Sequence, residues 1–431
     1  MSTATTATGA HILVYTYPAS GHIIPLLDLT HRLLRRGHTV TVVVLPTNLP
    51  LLQPLLSLHP SSLHPLVLPA PERPTPSWKS RMAKDRARRD LHYPLLLNWF
   101  HSHVSPPIAI ISDFFLGWTH HLAKQLGLPC VIFSPSGASG LSVLFSLWRD
   151  LPKNEDPEDI NFQVLFPRIP NSPVYPWWQL PHGYKNSKEG DPDWEFNKNN
   201  MLDNIASWGL VVNSFTELER VYLEHLSTEL GHDRVWSVGP LLPPEDDVIG
   251  YSNRGGSSSI PCEQVMTWLD SRPDSSVVYV CFGSRTTLNT KQMDVLVSAL
   301  DQSEVQFIFC VRGSDDRHVG SDDDLGVIPD GFEDRVEGIT AGVVMLTWPM
   351  GAEQFANAKL LVDELGVGIR AGESVENIPE SSELSRLLVE SVSATIPERV
   401  RVKGLSDASL GAIKGGSSDK DLDEFVERLS R

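Results

Sequence analysis

The chain has 431 residues, room for two domains of ordinary size with a sizeable core in each. A hydrophobic content of 41% and a charged content of 21% describe a globular protein, and a formal net charge of -17 argues against a nucleic-acid partner, which needs a basic surface. Four cysteines, Cys130, Cys262, Cys281 and Cys310, form no Cys-x-x-Cys pair, so neither a zinc site nor a disulfide framework is suggested and a reducing, cytoplasmic setting fits.

Residues 1–10, MSTATTATGA, are expected to form a disordered tail; they have neither the basic start nor the apolar core of a signal peptide. No run of about eighteen apolar residues occurs, so no membrane span is expected. His11 to Tyr17 (HILVYTY) predicts a first strand, and Pro18 to His22 a turn. Ile23, Leu26, Leu27, Leu33 and Leu34 stripe a helix that closes on Arg35, Arg36 and Gly37, and Thr39 to Leu45 (TVTVVVL) is the next buried strand. This is the βαβ start of an α/β domain; without Gly-x-Gly-x-x-Gly, a dinucleotide site is weakly supported. His22 falls at the amino end of the helix, where the positive dipole end favours a neutral, proton-accepting ring. A histidine at such a turn also serves as a cap or a surface residue.

Residues 46 to 76, rich in Leu, Pro and Ser, read as irregular. Trp78 to Arg89 (WKSRMAKDRARR) is a basic patch in an acidic chain and reads as a solvated helix face, with polyanion binding as the lesser alternative. Ile108 to Phe115 predicts a buried strand with Asp113 at its carboxyl end, so Asp113 and His22 can reach one crevice. Trp118 to Leu126 predicts a helix and Cys130 to Ser134 a strand. Residues 151 to 200 hold many prolines with Trp177, Trp178 and Trp194, which either cover a cleft for flat acceptors or staple a long loop. Gly209 to Ser214 is a further strand, a helix starts at Phe215, and a Gly- and Ser-rich linker is expected over 241–260.

The second domain is expected over 261–414. It holds a strand from Val277 to Phe282, a Gly283-Ser284 turn, a helix from about Lys291 to Leu300 and a strand from Gln306 to Arg312. A Gly-Ser turn between strand and helix offers N–H groups and a hydroxyl to a phosphate. Val343 to Leu346 suits a strand buried on both faces, followed by the TWPMG turn and a helix from Glu353 in which Phe355, Ala358, Leu361 and Leu365 share a face. Glu353 and Gln354 stand at the carboxyl end of that strand, as helix caps or as ligand-binding groups. Gly415 to Ser418 opens a last helix, 415–431, striped by Leu422, Phe425, Val426 and Leu429.

The run PMGAEQFANAKLLVDELGVGIR resembles, over some twenty residues, the closing half of the signature box of plant UDP-sugar-dependent secondary-product glycosyltransferases. YPASGHIIPLLDL, SDFFLGWT and VVYVCFGS resemble the same family. The resemblance implies two Rossmann-like α/β domains facing across a cleft (GT-B type), with residues 11–240 binding the acceptor, 261–414 the UDP-sugar, and the last helix crossing back onto the first domain. It implies His22 as catalytic base, Asp113 as its orienting acid, Ser284 and Glu337 on the phosphate and ribose side of the donor, and Glu353 and Gln354 on the sugar. The glutamine leans toward glucose. The expected acceptor is a small aromatic such as a flavonoid or phenolic, the expected reaction inverting and metal-independent, the expected state a monomer. UDP-sugar is a co-substrate, and no other cofactor is implied.

The upstream half of the box is absent: the Trp-x-Pro-Gln turn, whose tryptophan stacks on uracil, and the His-Cys-Gly-Trp-Asn-Ser segment that holds the diphosphate. The last histidine, His318, precedes the whole box. The second domain is therefore expected to be incomplete and donor binding weak, since one oxyanion-type donor alone is worth about 3 kcal/mol. Two readings compete with an active transferase: an inactive aglycone-binding pseudo-enzyme and, less favoured, a nucleotide-dependent oxidoreductase.

Overall fold

The structure is a computed structural model that describes residues 9–71, 81–156, 158–185, 188–242, 260–282, 288–310, 338–351, 353–374 and 377–429. These residues cluster into two compact units. The first gathers the described residues within 1–152, 187–254 and 415–431, and the second those within 153–186 and 255–414.

In chain order the strands of the first unit begin with β1 (His11–Tyr15), β2 (Thr39–Val44), β3 (Leu63–Val67), β4 (Ala109–Asp113) and β5 (Cys130–Ser134). After the hairpin of β6 (Gln163–Leu165) and β7 (Val174–Pro176), which belongs to the second unit, come β8 (Gly209–Val212) and β9 (Val235–Ser237). The sheet order is β3-β2-β1-β4-β5-β8-β9 and every pairing in it is parallel. Strands covered on both faces are largely apolar, and β2 and β4 are accordingly almost wholly buried. The order turns back between β1 and β4, the place where a doubly wound sheet opens a crevice beyond the carboxyl ends of its strands.

Residues 46–71 are more regular than expected. Pro46–Asn48 is a 3-10 turn, Leu49–Leu58 is a helix, and β3 follows. The prolines hid both elements. Pro50 sits in the first helical turn, where no N–H bond is lost, and Pro65 lies on β3, the edge strand of the sheet, which tolerates a missing donor. Helices Ala138–Asp150 and Pro192–Ile205 occupy stretches that the sequence left without an assigned element. Trp194 is buried against Trp148, ring centroids 5.7 Å apart, and so staples its segment to the first unit.

The last helix, Ser417–Leu429, covers the end of this sheet. Phe425 is fully buried with its ring 5.0 Å from that of Trp236 on β9, and Asp421 accepts from the Ser237 N–H (2.8 Å) and hydroxyl (3.0 Å). Leu422 and Leu429 join the same core as Ile12 and Val42. Truncating a fully buried phenyl ring costs about 3–5 kcal/mol. Phe425→Ala is therefore expected to lower the urea midpoint of the first unit, followed by tryptophan fluorescence; an unchanged midpoint would refute this docking.

The second unit contains two separate parallel pairs among the described residues, β10 (Val277–Val280) with β11 (Gln306–Phe309) and β12 (Met345–Thr347) with β13 (Gly368–Arg370). They share a core of Val280, Leu296, Leu300, Trp348, Leu384 and Leu388. The segment Val343 to Leu346, expected to be buried on both faces, is not: Val343 is 49% exposed and no residue of β12 is fully buried. Tyr279 on β10 is 59% exposed and Phe307 on β11 42%. Apolar parallel strands left this open contrast with those of the first unit.

Candidate active site

The first unit brings His22 and Asp113 together. His22 lies in the first turn of helix α1 (Ser20–Arg35), directly beyond β1, and Asp113 ends β4; β1 and β4 are neighbours at the reversal of strand order. Nδ1 of His22 stands 2.8 Å from Oδ2 of Asp113, with the two side chains 2% and 0% exposed. The other carboxylate oxygen accepts the Phe115 N–H at 2.9 Å. A carboxylate bonded to Nδ1 fixes the tautomer in which Nδ1 carries the proton, which leaves Nε2 to accept one.

Aromatic rings hold the imidazole from several sides. Phe115 stacks on it at 4.8 Å, Phe114 at 5.6 Å, and Tyr17 is tilted at 5.2 Å. The turn Phe114–Leu116 is fastened by two asparagines that sequence reasoning missed. Asn204 donates to the Phe114 carbonyl at 2.6 Å, and Asn200 donates to the Phe115 carbonyl at 3.0 Å and accepts the Trp118 N–H at 2.9 Å. Both lie on Pro192–Ile205, in a stretch read as loop; their spacing of four, one helical turn, was the available signal.

The basic patch is not a solvated helix face. Helix α2 is Leu49–Leu58 and helix α3 runs from Arg81 to Ser102; on α3, Arg81, Asp85 and Arg88 recur every three or four residues and are buried. Asp85 receives Arg81 Nη1 at 2.9 Å and Arg88 Nη1 at 2.7 Å. Only the other faces of the helix reach water, as at Arg86 and Arg89. The signal missed was the Arg-x-x-x-Asp-x-x-Arg spacing, which places three charges on one stripe.

In the second unit, Glu353 stands half-buried at the amino end of the helix Gln354–Lys359, where its side chain makes no capping hydrogen bond. Gln354 does fasten the preceding turn: its Oε1 accepts the N–H groups of Met350 (2.7 Å) and Gly351 (3.3 Å). The turn itself is held by close contacts. Trp348 donates to the Ser374 carbonyl at 3.1 Å, and Gly372 passes so close to the indole that a Cβ there would come within 2.9 Å of it. After the helix the backbone forms a π turn at Leu360–Glu364, and Gly366 takes a left-handed conformation at φ 61°. Ser284 and Glu337 lie outside the described residues.

Comparison with known proteins identifies the class. The chain is 46% identical over 469 aligned residues to UDP-glycosyltransferase 89B2 of Stevia rebaudiana, covering 98% of each protein. It is 43% identical to flavonol 3-O-glucosyltransferase UGT89B1 of Arabidopsis thaliana, covering 98% of this chain and 96% of that one. The crystal structure of A. thaliana UGT89C1 complexed with UDP-L-rhamnose matches with a TM-score of 0.77 at 34% identity, over 99% of this chain and 100% of that one. The structure of the same enzyme with quercetin matches with a TM-score of 0.76 at 33% identity. No family model matches the chain.

The fold is that of the GT-B sugar-nucleotide transferases, with two Rossmann-like domains. The chain belongs to the plant UDP-glycosyltransferase family, and a UDP-sugar is its co-substrate. Among the described residues no helix is long and apolar enough to cross a membrane.

Proposed function

We propose that the chain transfers glucose from UDP-glucose to a hydroxyl of a flavonol or smaller phenolic in the cytoplasm, at a rate below that of its relatives. The observation that carries this reading is the 2.8 Å contact of His22 with Asp113 at the crevice end of β1 and β4. The acceptor O–H gives its proton to Nε2, and Asp113 stabilises the imidazolium that forms. The acceptor oxygen bonds to the anomeric carbon from the face opposite UDP, the bond from that carbon to the diphosphate oxygen breaks, and the sugar is inverted. Glu353 and the Gln354 amide hold the sugar hydroxyls, with Ser284 and Glu337 on the phosphate and ribose side.

What supports reduced competence lies on the donor side. The relative from S. rebaudiana aligns over 469 residues, more than the 431 of this chain, so it carries residues without a counterpart here. The open apolar strands β10 and β11 fit a second domain that lacks part of its sheet. The same observations favour the second reading, an aglycone-binding protein without turnover.

The test is mass-spectrometric detection of glycoside from UDP-glucose and a panel of flavonols and hydroxybenzoates, with His22→Ala alongside. Product from the chain and none from the variant is expected. Equal product from both overturns the role of His22, and aglycone binding with no product selects the second reading.

A further inference from the structure

We propose that Cys281 and Cys310 are a redox modification site: peroxide joins their sulfurs in a reversible disulfide that staples β10 to β11. The inference stands apart from the transferase reading and needs no bound donor or acceptor.

Register is the first observation. β10 and β11 are parallel neighbours, paired from Val277 with Gln306 through Val280 with Phe309, so the next residue on each, Cys281 and Cys310, stand side by side. The Cys310 N–H donates to the Val280 carbonyl at 2.9 Å, which carries the ladder up to the two cysteines. Neighbouring strands run about 4.8 Å apart, inside the span of about 4.4–6.8 Å between Cα atoms that a disulfide bridges. Far apart in sequence and without Cys-x-x-Cys spacing, the pair is visible only once the strands are aligned.

Facing is the second. Side chains alternate along a strand. Val280 is buried in the core of the second unit, and Val278, Phe282 and Phe309 pack against that core. Cys281 and Cys310 therefore share the opposite face with Tyr279 and Ile308. That face is open: Tyr279 is 59% exposed, Cys310 is exposed and Cys281 half-buried, and both cysteines are thiols. Cys130 is the contrast. It is buried in the first unit, 3.5 Å from the Thr119 hydroxyl, and burial pushes its thiol up to about 11, which keeps it from reacting.

The chemistry balances with hydrogen peroxide as the oxidant. The Cys310 thiolate attacks one peroxide oxygen, the O–O bond breaks, and the departing hydroxide takes a proton to become water, leaving a sulfenic acid. The Cys281 thiolate then attacks that sulfur; the S–S bond forms, the S–O bond breaks, and a second water leaves. The net change is that two thiols lose two electrons and two protons while one peroxide becomes two waters. A bridge squeezed between adjacent strands and open to solvent is of the kind that thiols reduce readily, so it suits a reversible mark in a reducing compartment.

The test treats the full chain with hydrogen peroxide, alkylates the remaining thiols and maps the peptides by mass spectrometry, with and without dithiothreitol. The expected product is a peptide pair joined through Cys281 and Cys310, lighter than the two thiol peptides by two hydrogen atoms and lost on reduction. Cys130 should be alkylated only after denaturation. Cys262→Ser is expected to form the bridge as the wild type does, whereas Cys281→Ser should form none and carry Cys310 on to sulfinic acid. In the bridged chain the amides of β10 and β11 should exchange with deuterium more slowly, and return to their original rate with dithiothreitol. A wild-type chain that forms no such bridge, or that links either cysteine to Cys262 instead, overturns the inference. A bridge that leaves amide exchange unchanged overturns its part as a staple. The wild-type map needs no variant, so a misfolded substitution does not remove the test.

Discussion

Inserting the donor segment that the family resemblance marks as missing is expected to raise kcat/KM for UDP-glucose at least about a hundredfold over the 431-residue chain. A single oriented donor to a leaving oxyanion is worth about 3 kcal/mol, and about 1.4 kcal/mol corresponds to each factor of ten. By that resemblance the segment carries several such donors and a tryptophan that stacks on uracil, so a hundredfold is a floor. If the segment includes a strand of the second sheet, it also supplies partners for ladder groups, each worth about 1–3 kcal/mol when buried. The restored chain should therefore melt higher, and the exposed rings of Tyr279 and Phe307 should be protected from solvent. Initial rates of UDP release, read beside melting curves, check both parts. An unchanged kcat/KM would mean that the chain holds the diphosphate by other residues.

In that restored background, His22→Ala is expected to lower kcat by about 10^2 to 10^4-fold, the usual contribution of a general base. Acceptor affinity should change little, because the substitution removes proton transfer and leaves the aromatic surroundings intact. Asp113→Asn is the more discriminating variant. Its amide can turn an N–H toward Nδ1, which forces the proton onto Nε2 and blocks the base, so a fall of about 10^2-fold or more is expected with shape preserved. Because Asp113 also anchors the Phe115 N–H, a rise in acceptor Kd larger than the fall in kcat would mean that its part is to hold the turn. Rapid-quench measurement of the first turnover separates the two.

What the sequence made readable follows from where polarity interrupts pattern. HILVY and TVTVVV admit one solution, buried parallel strands, and a lone polar residue closing or just following such a run has to face the crevice; hence His22 and Asp113 could be placed before any coordinates. Prolines misled at Leu49–Leu58 and β3, because tolerance of proline depends on whether it falls in a first turn or on a sheet edge, which is a matter of tertiary context. The charges of α3 misled for a related reason. A run of arginines is ordinarily solvated, and only the stripe of Arg81, Asp85 and Arg88 is drawn inward, by a pairing that composition does not reveal. Asn200 and Asn204 act on a turn more than eighty residues earlier in the chain, a distance across which local pattern carries no information.

The helix Ser417–Leu429 seals the unit that contains His22 and Asp113, although nearly two hundred residues of chain separate it from β9. During synthesis, the first unit must therefore wait, with Trp236 uncovered, until the ribosome has finished the second. A late stop codon or a bulky fusion replacing these residues would injure the histidine-bearing half of the protein while sparing the neighbouring one. Damage from the far end of the gene would be felt first around His22.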